Sequence, residues 1–526
     1  MADNSKVWSP RLGIEVKMAL NIACPMIVTN LISYCIIASS LMFVGHLGEL
    51  ELSSAALGNS LCSVTGFTVM LGLASGLETL CGQAFGAKQF HLLGVYYQTS
   101  MFVLLCCCVP ISLLWWNMEP LLLLIGQEAQ ISNHTTVYMR TMIPFLWASA
   151  FIQTTIKYLQ TQSVVMPIMI FSVSTFVVHV PLTYLLIYKL NLGYLGGALA
   201  ISISYWIMLL QLLVYVVYSE STRAEKTWTG FVRPRLDVIV LFLKLAIPSA
   251  FMIILQFWAF ELLVLMSGLM PNPRREVSLL SICLNTAGIE FSFPFGLSAA
   301  SSTRVSNELG AGNARGAKLA SKVVMGISLL QATVVASAML ILRDKWGYAF
   351  SSQTEIVKAV SVILPLLALG TFMDGIQGVL GGKYTYYQPT HVNVCHWKRS
   401  RRSCSKCCSA CMSATPLYDL PRREAPKCEV PECILRGCGL QNPATVINIF
   451  AFYCVGIPTA VLFGFHYNKG AMGLYGGCIC GSITQLVLIT ILVAMIDWEK
   501  QSQERRLRGS GYQKTVKKYM VADKRL

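Results

Sequence analysis

Apolar residues run along this chain in long stretches separated by short polar turns. About twenty apolar residues cross a bilayer as a helix. Twelve such stretches can be read, at about 17–44, 54–81, 94–116, 134–160, 163–188, 194–218, 238–268, 278–303, 318–342, 356–380, 442–465 and 470–496. Pro25, Pro144, Pro167, Pro181, Pro248, Pro294, Pro365 and Pro458 fall inside these spans or at their ends. Membrane helices tolerate proline because neighbouring helices re-satisfy the freed carbonyl. The polar start, 1–16, lacks the basic head, short apolar core and small-residue cleavage site of a signal peptide. The first span is therefore expected to remain as helix one.

The pattern repeats internally. Pro25 recurs as Pro248, Gly72 as Gly296, Thr79 as Thr303 and Gly86 as Gly310, each 223 or 224 residues on. Pro144 and Phe151 recur as Pro365 and Phe372 at 221. The offset then jumps: Pro167 answers Pro443 at 276, while Pro181, Gly193 and Gly196 answer Pro458, Gly470 and Gly473 at 277. Two copies of six helices follow. Six is even, so both copies enter from the same side and form a parallel repeat about an axis along the membrane normal. The expected fold is an all-α polytopic membrane protein, with twelve transmembrane helices in two six-helix bundles. An N-lobe (17–218), a linker (219–237) and a C-lobe (238–496) precede a basic tail (497–526). The jump marks an insert at 381–435 in the second copy.

Composition supports the membrane reading. Of 526 residues, 55% are hydrophobic and 13% charged, against about 25% charged in a soluble domain. That is too little charge to cover several soluble domains. The net charge of +16 does not indicate nucleic acid, because much of the excess sits in two polar segments. The insert and the tail each carry nine Lys/Arg against four acids. Basic segments flanking membrane helices mark the cytoplasmic side. With the N-terminus inside, cytoplasmic segments other than the insert hold 23 Lys/Arg and the outer loops eight. Both termini are thus expected in the cytoplasm. Asn133-His134-Thr135, the lone glycosylation triplet, falls in an outer loop.

Chemistry inside the spans is sparse. Four acids lie within them, Glu78, Glu261, Glu290 and Asp374, and no Lys or Arg is expected deep in any span. A charge at the bilayer centre costs at least about 2.5–3.5 kcal/mol, so it rarely persists without a use. Desolvation disfavours the anion, and an acid in such a setting can load and release a proton as each side becomes accessible. When ionised it can instead hold an organic cation or Na⁺. Alternatively, a protonated carboxyl only ties two helices together. Glu261 and Asp374, each the only charge in its run, are the coupling candidates. Glu290 stands between the two readings, and Glu78 is expected in water at a helix end. Asn285 is placed to bond a carboxyl or a neighbouring helix. Phe257, Trp258 and Phe260 around Glu261 form either a cavity wall for a planar substrate or a lipid-facing surface. No phosphate-binding Gly-x4-Gly-Lys-Ser/Thr loop and no His-Glu-x-x-His occur, so ATP drive, a resident cofactor and enzymatic chemistry are not expected.

Several long motifs stand out: Val44-Gly45-His46-Leu47-Gly48, Cys81-Gly82-Gln83-Ala84-Phe85-Gly86-Ala87, Ser302-Thr303-Arg304-Val305-Ser306-Asn307-Glu308-Leu309-Gly310, and Arg436-Gly437-Cys438-Gly439. In this order they resemble the plant, DETOXIFICATION-type branch of the multidrug and toxic compound extrusion (MATE) family. The resemblance runs from about Arg11 to Trp498 except for the insert. It implies alternating access and efflux of organic solutes or xenobiotics in exchange for protons, rather than Na⁺. It also implies coupling acids in the seventh and tenth helices, which match Glu261 and Asp374. Glu290 is not part of that pattern. The expected partners are small organic substrates and the lipid bilayer, with the chain a monomer in the plasma or vacuolar membrane. A passive channel is the rival reading.

The insert departs from the family. It holds seven of the 19 cysteines, with Cys404-x2-Cys407 directly beside Cys408-x2-Cys411. Structural zinc sites pair two such knuckles across a longer span, so no metal is expected. Gly382-Lys383-Tyr384 can be encoded by a sequence containing a common intron start. The insert thus reads as either a functional loop or translated intron, the latter giving a splice variant with impaired transport.

Overall fold

In the computed structural model, the described residues are 5–219, 235–267, 270, 273–349, 354–381 and 441–494. They form twelve long helices: α1 (Ser5–Gly45), α2 (Glu49–Gly86), α3 (Phe90–Trp116), α4 (129–161), α5 (Met166–Lys189) and α6 (Tyr194–Tyr218). The second set is α7 (Leu236–Ser267), α8 (Pro273–Gly310), α9 (Ala314–Ile341), α10 (Thr354–Gly381), α11 (441–466) and α12 (Gly470–Ala494). Ten of them are long and apolar enough to cross a membrane. The other two, α4 and α8, bury many polar residues. In α8, Ser298, Ser301, Ser302, Thr303, Arg304 and Asn307 are all buried. Among the described residues no strand occurs. Most of the linker and the insert, and all of the tail, lie outside the described residues, as does the Cys404–Cys411 region.

The two copies share more than helix count. Lys88, in the turn after α2, has φ 57°, and Gly312, in the turn after α8, has φ 77°. Asn191 and Gly193 join α5 to α6 at φ 53° and 57°; Asn468 and Gly470 join α11 to α12 at 51° and 59°. These left-handed positions recur at the sequence offsets of 224 and 277. The inserted length therefore falls between matching bodies and leaves the later turn intact. At the turn into α9, the Asn313 side chain accepts from the Gly316 amide at 3.0 Å, capping the helix.

The copies pack reciprocally. Helix α1 lies antiparallel on α8, pairing Glu15 with Arg304 and Tyr34 with Asn285, and α7 lies antiparallel on α2, pairing Ala246 with Gly76 and Glu261 with Ser60. Gly72 on α2 sits against the backbone of Ala250 on α7, and its repeat mate Gly296 on α8 sits against Ala23 and Ile27 on α1. A side chain at either position would strike the opposing helix. At the face where α1 begins, here the near face, Gly86 abuts the Asn307 carbonyl and Gly310 abuts the Gln83 carbonyl. Gln83 and Asn307 are themselves repeat mates. Each contact is the other's image, as an axis between α2 and α8 requires.

Candidate functional site

Glu261 projects from α7 across the seam, where Ser60 Oγ on α2 donates to its Oε1. A π-turn at Ser63–Phe67 follows Ser60 in α2. It separates the residue that meets Glu261 from Phe67, which lines a cavity between α1, α2, α4, α6 and α8. A second link between the copies runs from Tyr34 Oη on α1 to Asn285 Oδ1 on α8, at 3.1 Å. Asn285 thus bonds the opposite lobe, and Tyr34 lines the cavity. The cavity volume is ≈ 60 Å³, smaller than the ~150 Å³ that benzene fills.

Asp374 and Glu290 lie elsewhere in the C-lobe. Asp374 is half-buried on α10 and Glu290 is buried on α8. Both lie within electrostatic reach of Tyr475 on α12. Ser328 on α9 donates to the Gly375 carbonyl, fixing the backbone beside Asp374. Trp258 is 48% exposed and does not line the cavity, whereas Phe257 and Phe260 pack in the core. The aromatic run around Glu261 therefore splits between exposed surface and core, outside the lining of this cavity. Glu290 and Asn285 are likewise absent from the cavity lining.

Two corrections concern charge. Glu78 does not sit in water: it is 1% exposed, and Lys157, unexpected inside a span, is also 1% exposed. Lys157 Nζ stands 3.2 Å from Glu78 Oε2 and donates to Gln160 Oε1 at 3.1 Å. Gln160 Nε2 donates to Glu78 Oε1 at 2.6 Å, to Thr303 Oγ1 at 3.1 Å and to the Ala299 carbonyl at 3.2 Å. The network therefore crosses from α2 and α4 to α8. Nearer the near face, Arg304 on α8 holds Glu15 on α1 with two bonds of 2.8 Å and Glu308 with a third. Asn307 Nδ2 donates to the Thr161 carbonyl at 3.1 Å. Polar bonds between the lobes thus seal this side of the seam.

Among the described residues, no group of three or more His, Cys, Asp or Glu is placed to hold a metal ion. Twelve long helices among the described residues, in two repeated bundles with acids embedded at and beside their seam, define a polytopic membrane transporter. Comparison with known proteins narrows the class. The MatE family profile matches residues 25–185 and 248–394. Protein DETOXIFICATION 16 of Arabidopsis thaliana is 40% identical over 512 residues, 97% of this chain and 94% of the relative. Protein DETOXIFICATION 17 of the same plant is 39% identical over 494 residues, 94% of this chain and 93% of the relative. The crystal structure of the eukaryotic MATE transporter AtDTX14 superposes with a TM-score of 0.81 at 37% identity, covering 95% of this chain and 99% of that one. An outward-facing multidrug resistance MATE transporter shares the fold at a TM-score of 0.73 and 14% identity, with 95% of this chain and 97% of that one covered.

The chain belongs to the MatE family and is a MATE transporter of the detoxification type. The first family match runs on through most of α5 to residue 185, whereas the second stops at 394, inside the 381–435 segment. The family pattern breaks where the repeat offset jumps.

Proposed function

We propose that this protein is a secondary-active antiporter that exports organic solutes, xenobiotics among them, in exchange for protons. One observation carries the reading: Glu261 of the C-lobe takes a hydrogen bond from Ser60 of the N-lobe. A carboxylate whose donor lies on the opposite lobe changes its surroundings whenever the lobes part. Loss of that donor alters how strongly the ionised form is favoured, so lobe motion and proton occupancy are coupled at one residue. Asp374, beside Tyr475 within the C-lobe, is the second coupling acid, and Glu290 tunes the electrostatics around it. Alternating access then consists of breaking the near-face bonds while the opposite side closes. The cavity, at ≈ 60 Å³, is smaller than the ~150 Å³ engineered cavity that binds benzene, and widens in that motion to admit an organic solute.

The detoxification names of the relatives support export of foreign or secondary organic compounds. The Lys/Arg bias supports cytoplasmic termini, with the near face inside and the chain in the plasma or vacuolar membrane as a monomer. A membrane-impermeant thiol reagent should label a cysteine placed in 271–276 and miss one in 219–236; the reverse pattern overturns this orientation. The function is tested by radiolabelled solute uptake into inside-out vesicles. Accumulation above equilibrium that vanishes when the pH gradient is collapsed supports antiport. Equilibration indifferent to the gradient identifies a channel.

A further inference from the structure

The cavity between α1, α2, α4, α6 and α8 has one charged residue in its lining among the described residues, Lys157. The rest of its wall is apolar, aromatic or neutral polar, with Phe291 and Phe295 on α8 and Tyr205 on α6 among the rings. The Lys157 ammonium stands 6.0 Å from the centre of the Phe295 ring, within range for a cation over an aromatic face. Its counter-ion Glu78 does not line the cavity. The pair is thus asymmetric: Lys157 belongs to the cavity lining and Glu78 does not. Gln160 holds both, accepting from the ammonium and donating to the carboxylate.

An ammonium held at the wall of an aromatic-lined space is a receptor for a flat molecule carrying an anionic oxygen. We propose that Lys157 sets the charge preference of this cavity, selecting aromatic organic anions, with Glu78 as the built-in anion that competes with the substrate. The inference rests on the reading of the chain as an exporter of organic solutes and names the class of solute. Lys157 bonds the incoming carboxylate or phenolate, while Glu78 keeps its bond from Gln160. The rings of Phe291 and Phe295 supply contact area for the aromatic body. Because Gln160 also bonds Thr303 and Ala299 across the seam, drawing Lys157 towards a substrate pulls on contacts that hold the lobes together.

Direct binding tests this apart from transport and proton coupling. The full chain in lipid nanodiscs is titrated with coumarin-3-carboxylate and with its neutral counterpart coumarin-3-carboxamide. The wild type should favour the carboxylate. Glu78→Gln removes the competitor and should raise the carboxylate-to-carboxamide affinity ratio by about tenfold, the scale of one charge-assisted hydrogen bond. Lys157→Gln alone leaves Glu78 buried without its cation, which destabilises the fold. The double variant Glu78→Gln, Lys157→Gln avoids this, and should bind both probes with equal affinity. If the pair only braces the helices, its variants move both probes alike. The proposal is overturned if the wild type shows no preference, if Glu78→Gln lowers the ratio, or if the double variant keeps it. Any of these leaves gradient-driven uptake, and the antiporter reading, standing.

Discussion

Arg304 on α8 grips Glu15 on α1 with both arms of its guanidinium, Nε to Oε1 and Nη2 to Oε2, each at 2.8 Å. The two side chains are 11% and 7% exposed, so the pair is shielded from water, and it joins one lobe to the other. Bidentate pairs of this kind fix geometry as well as charge. Beside it, Gly86 and Gly310 let the α2 and α8 backbones touch. On the proposed alternating-access cycle, these contacts form the near-face gate, and opening it breaks the Arg304–Glu15 pair.

Removing one member of a buried pair typically costs about 3–5 kcal/mol, because the survivor is left charged and unmatched. Arg304→Gln should therefore lower the thermal midpoint of the purified protein and increase thiol labelling of a cysteine placed at Ser306, which is fully buried on the same helix. The double variant Glu15→Gln, Arg304→Gln should recover much of the stability but keep the raised labelling. Unchanged labelling in both variants would mean that this pair does not hold the gate.

Ser60 is expected to matter only through Glu261. A hydrogen bond to a charged group contributes about 1.5–3 kcal/mol, and Ser60→Ala removes it without touching the carboxyl. Initial rates measured across a pH series should show a displaced pH dependence for Ser60→Ala and a near-normal one for Ser60→Thr, which keeps the hydroxyl. In the Glu261→Gln background the Ser60→Ala change should add nothing further. Independent, additive effects would separate the two residues.

The twelve spans were legible because lipid demands long apolar runs, and the repeat was legible because turns with left-handed φ restrict their residues. Asn191 and Gly193 recur as Asn468 and Gly470 for that reason. The ends of the spans were less legible. Helix α8 was expected at 278–303 and runs Pro273–Gly310, since helices continue into water or into a neighbouring lobe. That difference explains Lys157, Glu78, Arg304 and Glu15. Each lies near the end of an expected span, where hydropathy suggests water. Instead, α1, α2, α4 and α8 converge on the near face and bury one another's charged ends. Hydropathy measures depth along the membrane normal and carries no information about lateral neighbours. A clue did exist in Lys157 and Gln160, three residues apart and so on one helix face. Trp258 was ambiguous for the converse reason: an aromatic beside an embedded acid can face lipid as readily as a cavity.

The segment 381–435 interrupts the second copy, yet the turns and helices beyond it match the first copy at offsets of 276 and 277. Deleting about residues 383–435 should leave folding intact and transport equal or improved, read by size-exclusion profile and vesicle uptake. A deletion variant that reaches its membrane but does not transport would make the segment a functional element and end the translated-intron reading.

The claim that lobe movement and proton binding meet at Glu261 is tested most directly by substrate-driven proton flux. Wild-type protein is reconstituted in liposomes holding a pH-sensitive dye, and solute is added to one side with no imposed gradient. Wild type should move protons against the solute, while Glu261→Gln, equal in volume and unable to titrate, should insert normally and move none. Asp374→Asn should behave similarly. Full solute-driven proton movement by Glu261→Gln would contradict the account.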